Sequence, residues 1–170
     1  MAEPLRLLVV CLGNICRSPM AEGALRTRLR EVGLEGRVEV DSVGTGDWHV
    51  GHPPDRRAIA CAARNNVDIG ALRARQLCAE DFQRFDHILC ADRSTLRNVL
   101  AHAPADMRAR CVLLSEFAEQ GEMDIPDPYT GGTREFDIAW SLVDGMAQAI
   151  ATRLAGEMGH GLRRHGPFRA

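Results

Sequence analysis

Two rhythms of apolar positions alternate along the chain. Residues 5–10, Leu5-Arg6-Leu7-Leu8-Val9-Val10, form a largely apolar run with β-branched members, as a strand buried on both faces requires. A glycine-containing loop and Pro19 follow. Ala21, Ala24, Leu25, Leu29 and Val32 then recur at helical spacing until Gly33 stops the pattern. A second strand is predicted over 38–43, ended by Gly44 and Gly46. A loop with Gly51, Pro53 and Pro54 leads to a helix predicted over 55–66. Residues 86–91 read as a third strand, followed by a helix through Leu96, Val99 and Leu100, and 110–114 as a short fourth strand. A loop rich in Asp, Pro and Gly spans 121–133. The last helix has the clearest stripe: Phe136, Ala139, Trp140, Val143, Ala147, Ile150 and Leu154.

Strands alternating with helices predict an α/β fold: a small doubly wound, flavodoxin-like, four-stranded parallel sheet with helices on both faces and right-handed crossovers. Ligands of such folds bind outside the carboxyl ends of the strands. The loop after the first strand would stand there. The expected organisation is one domain over 1–160 and a flexible basic tail over 161–170.

Composition narrows the function classes. A chain of 170 residues holds one well-buried core, and a formal charge of −2 gives no electrostatic case for nucleic acid. Every basic side chain is arginine, a feature that fits a GC-rich genome better than it fits any chemistry. No apolar run approaches the ~20 residues needed to span a bilayer, so no membrane insertion and a cytoplasmic location are expected. The six cysteines are scattered and the six histidines unclustered, which argues against a zinc site.

The candidate chemistry lies between Cys11 and Ser18. A C-x5-R pattern alone is weak, since this composition gives about 0.7 matches by chance, and the chain contains two. Context separates them. Cys78 and Arg84 enclose Glu80 and Asp81, which would repel a phosphate, and no apolar strand precedes them. Cys11 and Arg17 enclose no acid, Gly13 relaxes the backbone, a strand precedes and a helix follows. A strand, loop and helix in that order build an anion site from backbone N–H groups and a helix N-terminus. A thiol placed there beside a guanidinium favours its nucleophilic thiolate. Arg17 can grip two phosphoryl oxygens with its planar fork, and the amides from Leu12 through Gly13, Asn14, Ile15 and Cys16 to Arg17 can hold the others. The G-K-[ST] ending of a nucleotide-binding loop is missing.

The string V-C-L-G-N-I-C-R-S-P-M-A-E resembles the signature of the low-molecular-weight protein tyrosine phosphatases. D-S-V-G-T (41–45), D-W-H-V-G (47–51), P-P-D-R-R-A (53–58), R-A-R-Q (73–76) and D-P-Y (127–129) follow in family order over roughly residues 4–155. The resemblance implies hydrolysis of phosphotyrosine through a phosphocysteine on Cys11, with no metal or cofactor. It puts the general acid on Asp127, with Asp124 the neighbouring alternative and a turn-forming Asx-Pro unit the bland reading. Ser18 would hydrogen-bond the Cys11 thiolate, or simply cap the helix. Asn14 and Ser42 would order the loop, with Asn14 left-handed. Leu72 stands where the family often has a histidine that completes this network, and Thr130 where many relatives have a second tyrosine. Trp48 and Tyr129 would wall the substrate slot. Cys16 would form a reversible disulfide protecting Cys11, or merely pack the loop. The implied partner is a phosphotyrosine-containing protein, a bacterial tyrosine kinase being a candidate by analogy.

Three other readings fit parts of the pattern. An arsenate reductase would need two relay thiols, for which only Cys78 and Cys90 are available. An arginine-phosphate phosphatase typically carries a threonine at the position of Ile15. A non-catalytic phosphotyrosine-binding module would need neither Cys11 nor Asp127.

Overall fold

The computed structural model describes residues 2–163. Four strands, β1 (Leu5–Cys11), β2 (Val38–Gly44), β3 (His87–Cys90) and β4 (Cys111–Leu113), form one parallel sheet in the order β2-β1-β3-β4. The six helices are α1 (Arg17–Glu31), α2 (Arg56–Arg64), α3 (Ala79–Arg84), α4 (Arg93–His102), α5 (Leu114–Phe117) and α6 (Thr133–Arg163). A 3₁₀ helix at Ala105–Arg110 precedes β4.

The alternation of side chains along β1 divides the core in two. Leu7, Val9 and Cys11 face α1, α2 and α6, whereas Leu8 and Val10 face the opposite layer with Phe82, Phe85 and Val99. This central strand is apolar on both sides because neither side meets water. The stripe read on the last helix is buried throughout, from Phe136 to Leu154. The helix itself continues to Arg163, three residues into the segment expected to be a tail. The rest of that tail, 164–170, lies outside the described residues.

The strand and long-helix expectations hold to within a few residues. The short helices α3 and α5 are additions, being too brief to show a 3.6-residue rhythm. The strand order places its switch point between β1 and β3, so the loop leaving β1 opens at the crevice where such folds bind ligands. No helix among the described residues is long and apolar enough to cross a membrane.

Candidate active site

Cys11 is the last residue of β1, in register with Gly44 at the end of β2. The chain then turns tightly and enters α1 at Arg17. The turn needs a left-handed residue, and Asn14 supplies it with φ 56°. The Asn14 amide points back to the Cys11 sulfur at 3.3 Å, and Ser18 Oγ lies 3.0 Å from the same atom. Ser18 is the second residue of α1, and the cap position belongs to Cys16, whose side chain makes no capping bond. The Ser18 hydroxyl therefore serves the sulfur and not the helix end.

A buried polar chain stands behind the loop. The Asn14 side-chain amide donates to Ser18 Oγ (2.8 Å) and Ser42 Oγ (3.0 Å), and Ser42 donates to Glu22 Oε1 (2.7 Å). Asn14 Oδ1 accepts from the Arg75 amide at 3.0 Å. That amide is in place because residues 75–77 run beside the end of β2, with Gly44 N–H donating to Arg75 O and Leu77 N–H to Gly44 O. The Arg75 guanidinium is itself held by Asp41 and Asp81, each at 2.9 Å. Leu72 packs against the apolar core, and the chain of bonds ends on Glu22 and Arg75 instead of on a polar residue 72. Burial pushes the Glu22 carboxyl up to about 6, against the pull of Arg26 and Ser42. Arg26 Nη2 lies 2.7 Å from Glu22 Oε2, yet that oxygen has no well-directed hydrogen bond, so the contact is one of charge with poor alignment.

In front of the loop lies a cleft of ≈ 140 Å³ lined by Cys11, Leu12, Gly13, Ile15, Cys16, Arg17, Trp48, His49, Asp127 and Tyr129. Asn14, Ser18 and Ser42 do not line it, and their side chains act from behind. Arg17 is 3% exposed; its Nη1 donates to Asp92 Oδ2 (2.6 Å) and to the Ile125 carbonyl (2.9 Å). Its Nη2 lies 3.6 Å from Asp127 Oδ2. Asp127 Oδ1 accepts from the Tyr129 amide at 3.1 Å, so the Asx turn is present and the second oxygen still faces Arg17. Asp124 is turned away, accepting from the Arg93 amide at the start of α4.

Trp48 and Tyr129 are 66% and 50% exposed, large aromatic faces left open at the mouth. Burial, then the charges of Asp55, Cys11 and Asp127, push the Cys16 thiol far above the usual thiol range, so Cys16 stays protonated. All six cysteines are free. Cys78 sits exposed at the start of α3 and Cys90 is buried inside β3, and neither lines the cleft. A larger cavity of ≈ 590 Å³ at the amino end of β2 brings together none of the predicted site residues.

Several residues of the site escape sequence reasoning. Asp92 lies outside every motif described above, and Glu22 and His49 fall inside two of those strings without a role of their own. Asp92 and Glu22 gain their places through Arg17 and Ser42, partners distant in the chain, and no local signal announces that.

A sulfur at the strand end, met by the Asn14 amide and sharing an aromatic-rimmed cleft with a buried guanidinium, defines a doubly wound α/β protein with a cysteine loop at its switch point. Comparison with known proteins narrows this class. The family model described as low molecular weight phosphotyrosine protein phosphatase matches residues 6–159, and the chain belongs to that family. The phosphatase of this description from Schizosaccharomyces pombe is 44% identical over 147 residues, covering 85% of this chain and 94% of its own. The crystal structure of YfkJ from Bacillus subtilis is 31% identical with a TM-score of 0.84, covering 92% of this chain and 98% of its own. Wzb from Vibrio vulnificus, in complex with benzylphosphonate, is 33% identical with a TM-score of 0.78, covering 88% and 98%.

Proposed function

We propose that this protein hydrolyses phosphotyrosine in proteins through a phosphocysteine intermediate. Cys11 thiolate attacks phosphorus, and the S–P bond forms as the bond to the phenolic oxygen breaks. Asp127 gives its proton to that leaving oxygen. As a carboxylate it then takes a proton from water, whose oxygen displaces Cys11 and releases inorganic phosphate. Arg17 and the amides of residues 12–17 hold the phosphoryl oxygens in both steps. Nucleophile, charge clamp and acid are all side chains, so the sequence of steps calls for no metal or cofactor.

The observation that carries this reading is convergence: Asp127, far along the chain from the loop that holds Cys11 and Arg17, lines one ≈ 140 Å³ cleft with them and with Trp48 and Tyr129. The Vibrio relative holds benzylphosphonate, a phenyl ring joined through a methylene to a tetrahedral oxyanion, and the two aromatic faces here suit a similar shape. Cys16, kept protonated by burial, would leave Cys11 to react first with oxidants and then close a protective disulfide on it. The partner is a phosphotyrosine-bearing protein, a bacterial tyrosine kinase being a candidate, met in the cytoplasm.

The test compares phosphotyrosine, phosphoserine, phosphoarginine and arsenate as substrates, with and without EDTA, for the wild type and Cys11→Ser. Preference for phosphotyrosine, indifference to EDTA and a phosphorylated Cys11 trapped by rapid acid quench are expected. Turnover that disappears with EDTA, or survives Cys11→Ser, overturns the mechanism.

A further inference from the structure

The segment 126–132 carries both Asp127 and Tyr129, and little within it fixes its place. Apart from the Asx turn, its one internal backbone bond runs from Gly131 N–H to the Pro128 carbonyl at 2.9 Å. Opposite it, in the first turn of α2, stands Arg57. Its Nη2 donates to the Tyr129 carbonyl and its Nη1 to the Gly131 carbonyl, both at 2.9 Å. Its Nε and Nη2 close a two-pronged pair on Asp55, each at 3.0 Å. The guanidinium also lies over the Tyr129 ring, 5.7 Å from its centroid, and over Phe136 at 4.7 Å.

Asp55 ties this arrangement to the other loop. Its backbone N–H donates to the Ile15 carbonyl at 2.8 Å, inside the turn that wraps Cys11. Its carboxylate also accepts the Arg57 amide at 2.8 Å, and the Arg57 hydrogen bonds hold that carboxyl below its usual range. A continuous path of short bonds thus runs from the Ile15 carbonyl through Asp55 and Arg57 to the carbonyls of Tyr129 and Gly131.

We propose that Arg57 is a positioning residue that sets the span between the cysteine loop and the Asp127 loop, bringing the acid to the leaving oxygen. This rests on the reaction assigned above. A planar fork with several donors in fixed directions can hold two carbonyls and a carboxylate at once, whereas an ammonium is a point charge on a flexible stem. The Arg57 side chain is 42% exposed, so the pair contributes little to stability. Its influence falls on geometry, and kinetics should register it before folding does.

The experiment measures kcat and KM for aryl phosphates graded in leaving-group pKa, using wild type, Arg57→Ala, Arg57→Lys and Asp127→Asn. Tm is recorded for each. Arg57→Ala is expected to lower kcat about tenfold for poor leaving groups and far less for good ones, with Tm nearly unchanged. Arg57→Lys should lose almost as much. A structural readout accompanies the kinetics, because Tyr129 is the single tyrosine of the chain. With fluorotyrosine incorporated, its one ¹⁹F resonance should shift or broaden in Arg57→Ala. An unmoved resonance with unchanged kinetics overturns the proposal, as does an equal kcat loss for every leaving group accompanied by a fall in Tm. If Asp127→Asn shows the leaving-group dependence and Arg57→Ala does not, only the strut fails. If Asp127→Asn lacks it too, the acid assignment fails and the strut with it.

Discussion

Arg17 and Asp92 meet at 2.6 Å, and the second oxygen of Asp92 accepts the Thr95 amide at 2.7 Å, so one carboxylate both aims the guanidinium and caps α4. Burial opposes its charge, but the bonds from Arg17 and Thr95 hold its carboxyl below the usual range. Asp92→Ala should cost about 3 kcal/mol, because a nearly buried Arg17 loses its charge partner and a helix loses its cap. Asp92→Asn keeps the cap and should cost less. Both should weaken inorganic phosphate binding at least tenfold, since Arg17 is then free to turn to Asp127 at 3.6 Å. Denaturant titration and calorimetric phosphate titration check the two parts. An unaltered phosphate affinity would show that Asp92 serves stability alone.

Asn14 combines two costs that substitution can separate. Asn14→Ala forfeits the bonds to Ser18, Ser42 and the Arg75 amide and also places an ordinary residue at φ 56°. Asn14→Gly forfeits the bonds but suits the backbone. Alanine should therefore be the less stable by about 1 kcal/mol, the left-handed penalty, while both lose turnover to a similar degree. Urea denaturation of the pair measures the first quantity, and kcat the second. Equal stabilities would mean the loop relaxes out of its left-handed turn.

What could be read from sequence follows the range of the interactions. The β1 run, the stripe of α6 and the Cys11–Ser18 loop are local or periodic, and a short window contains their signal. Ser18 shows the boundary: its position near a helix start allowed a capping role, and only the 3.0 Å approach to the Cys11 sulfur decides the matter. Glu22, Arg57, Arg75 and Asp92 lie beyond it. Their partners come from other elements, and a charged residue on a helix looks the same in sequence whether it faces water or a loop carbonyl.

Glu22 should make stability fall as pH rises through the acidic range. Its carboxyl ionises near 4.5 when unfolded and at about 6 when folded, because burial disfavours the charge. Below pH 4.5 both states are protonated and the shift contributes nothing. Between 4.5 and 6 the unfolded state ionises first, and above 6 the folded protein carries the full penalty of about 2 kcal/mol. Glu22→Gln keeps an oxygen to accept from Ser42 and cannot ionise, so its stability relative to wild type should climb across that window. Denaturation at pH 4.5, 5.5 and 7 checks this, and parallel curves would overturn it.

Gly44 and Gly46 should respond to the same substitution in opposite ways. A Cβ on Gly44 would lie 2.8 Å from the Leu12 carbonyl oxygen, 3.0 Å from Gly13 C and 3.1 Å from the Asn14 amide nitrogen. All three are backbone atoms of the loop around Cys11, fixed by the bonds behind it, and they have nowhere to go. Gly44→Ala should cost about 1–3 kcal/mol and weaken phosphate binding together. A Cβ on Gly46 would instead run into the Trp48 ring. That ring is 66% exposed and can swing away without opening the core. Gly46→Ala should leave Tm nearly unchanged and phosphate binding intact, but raise KM for aryl phosphates several-fold as one wall of the slot moves. Tm, phosphate affinity and KM for phenyl phosphate separate the two variants. If Gly46→Ala weakened free phosphate as much as the aryl ester, Trp48 would be acting on the anion loop and not on the ring it is expected to flank.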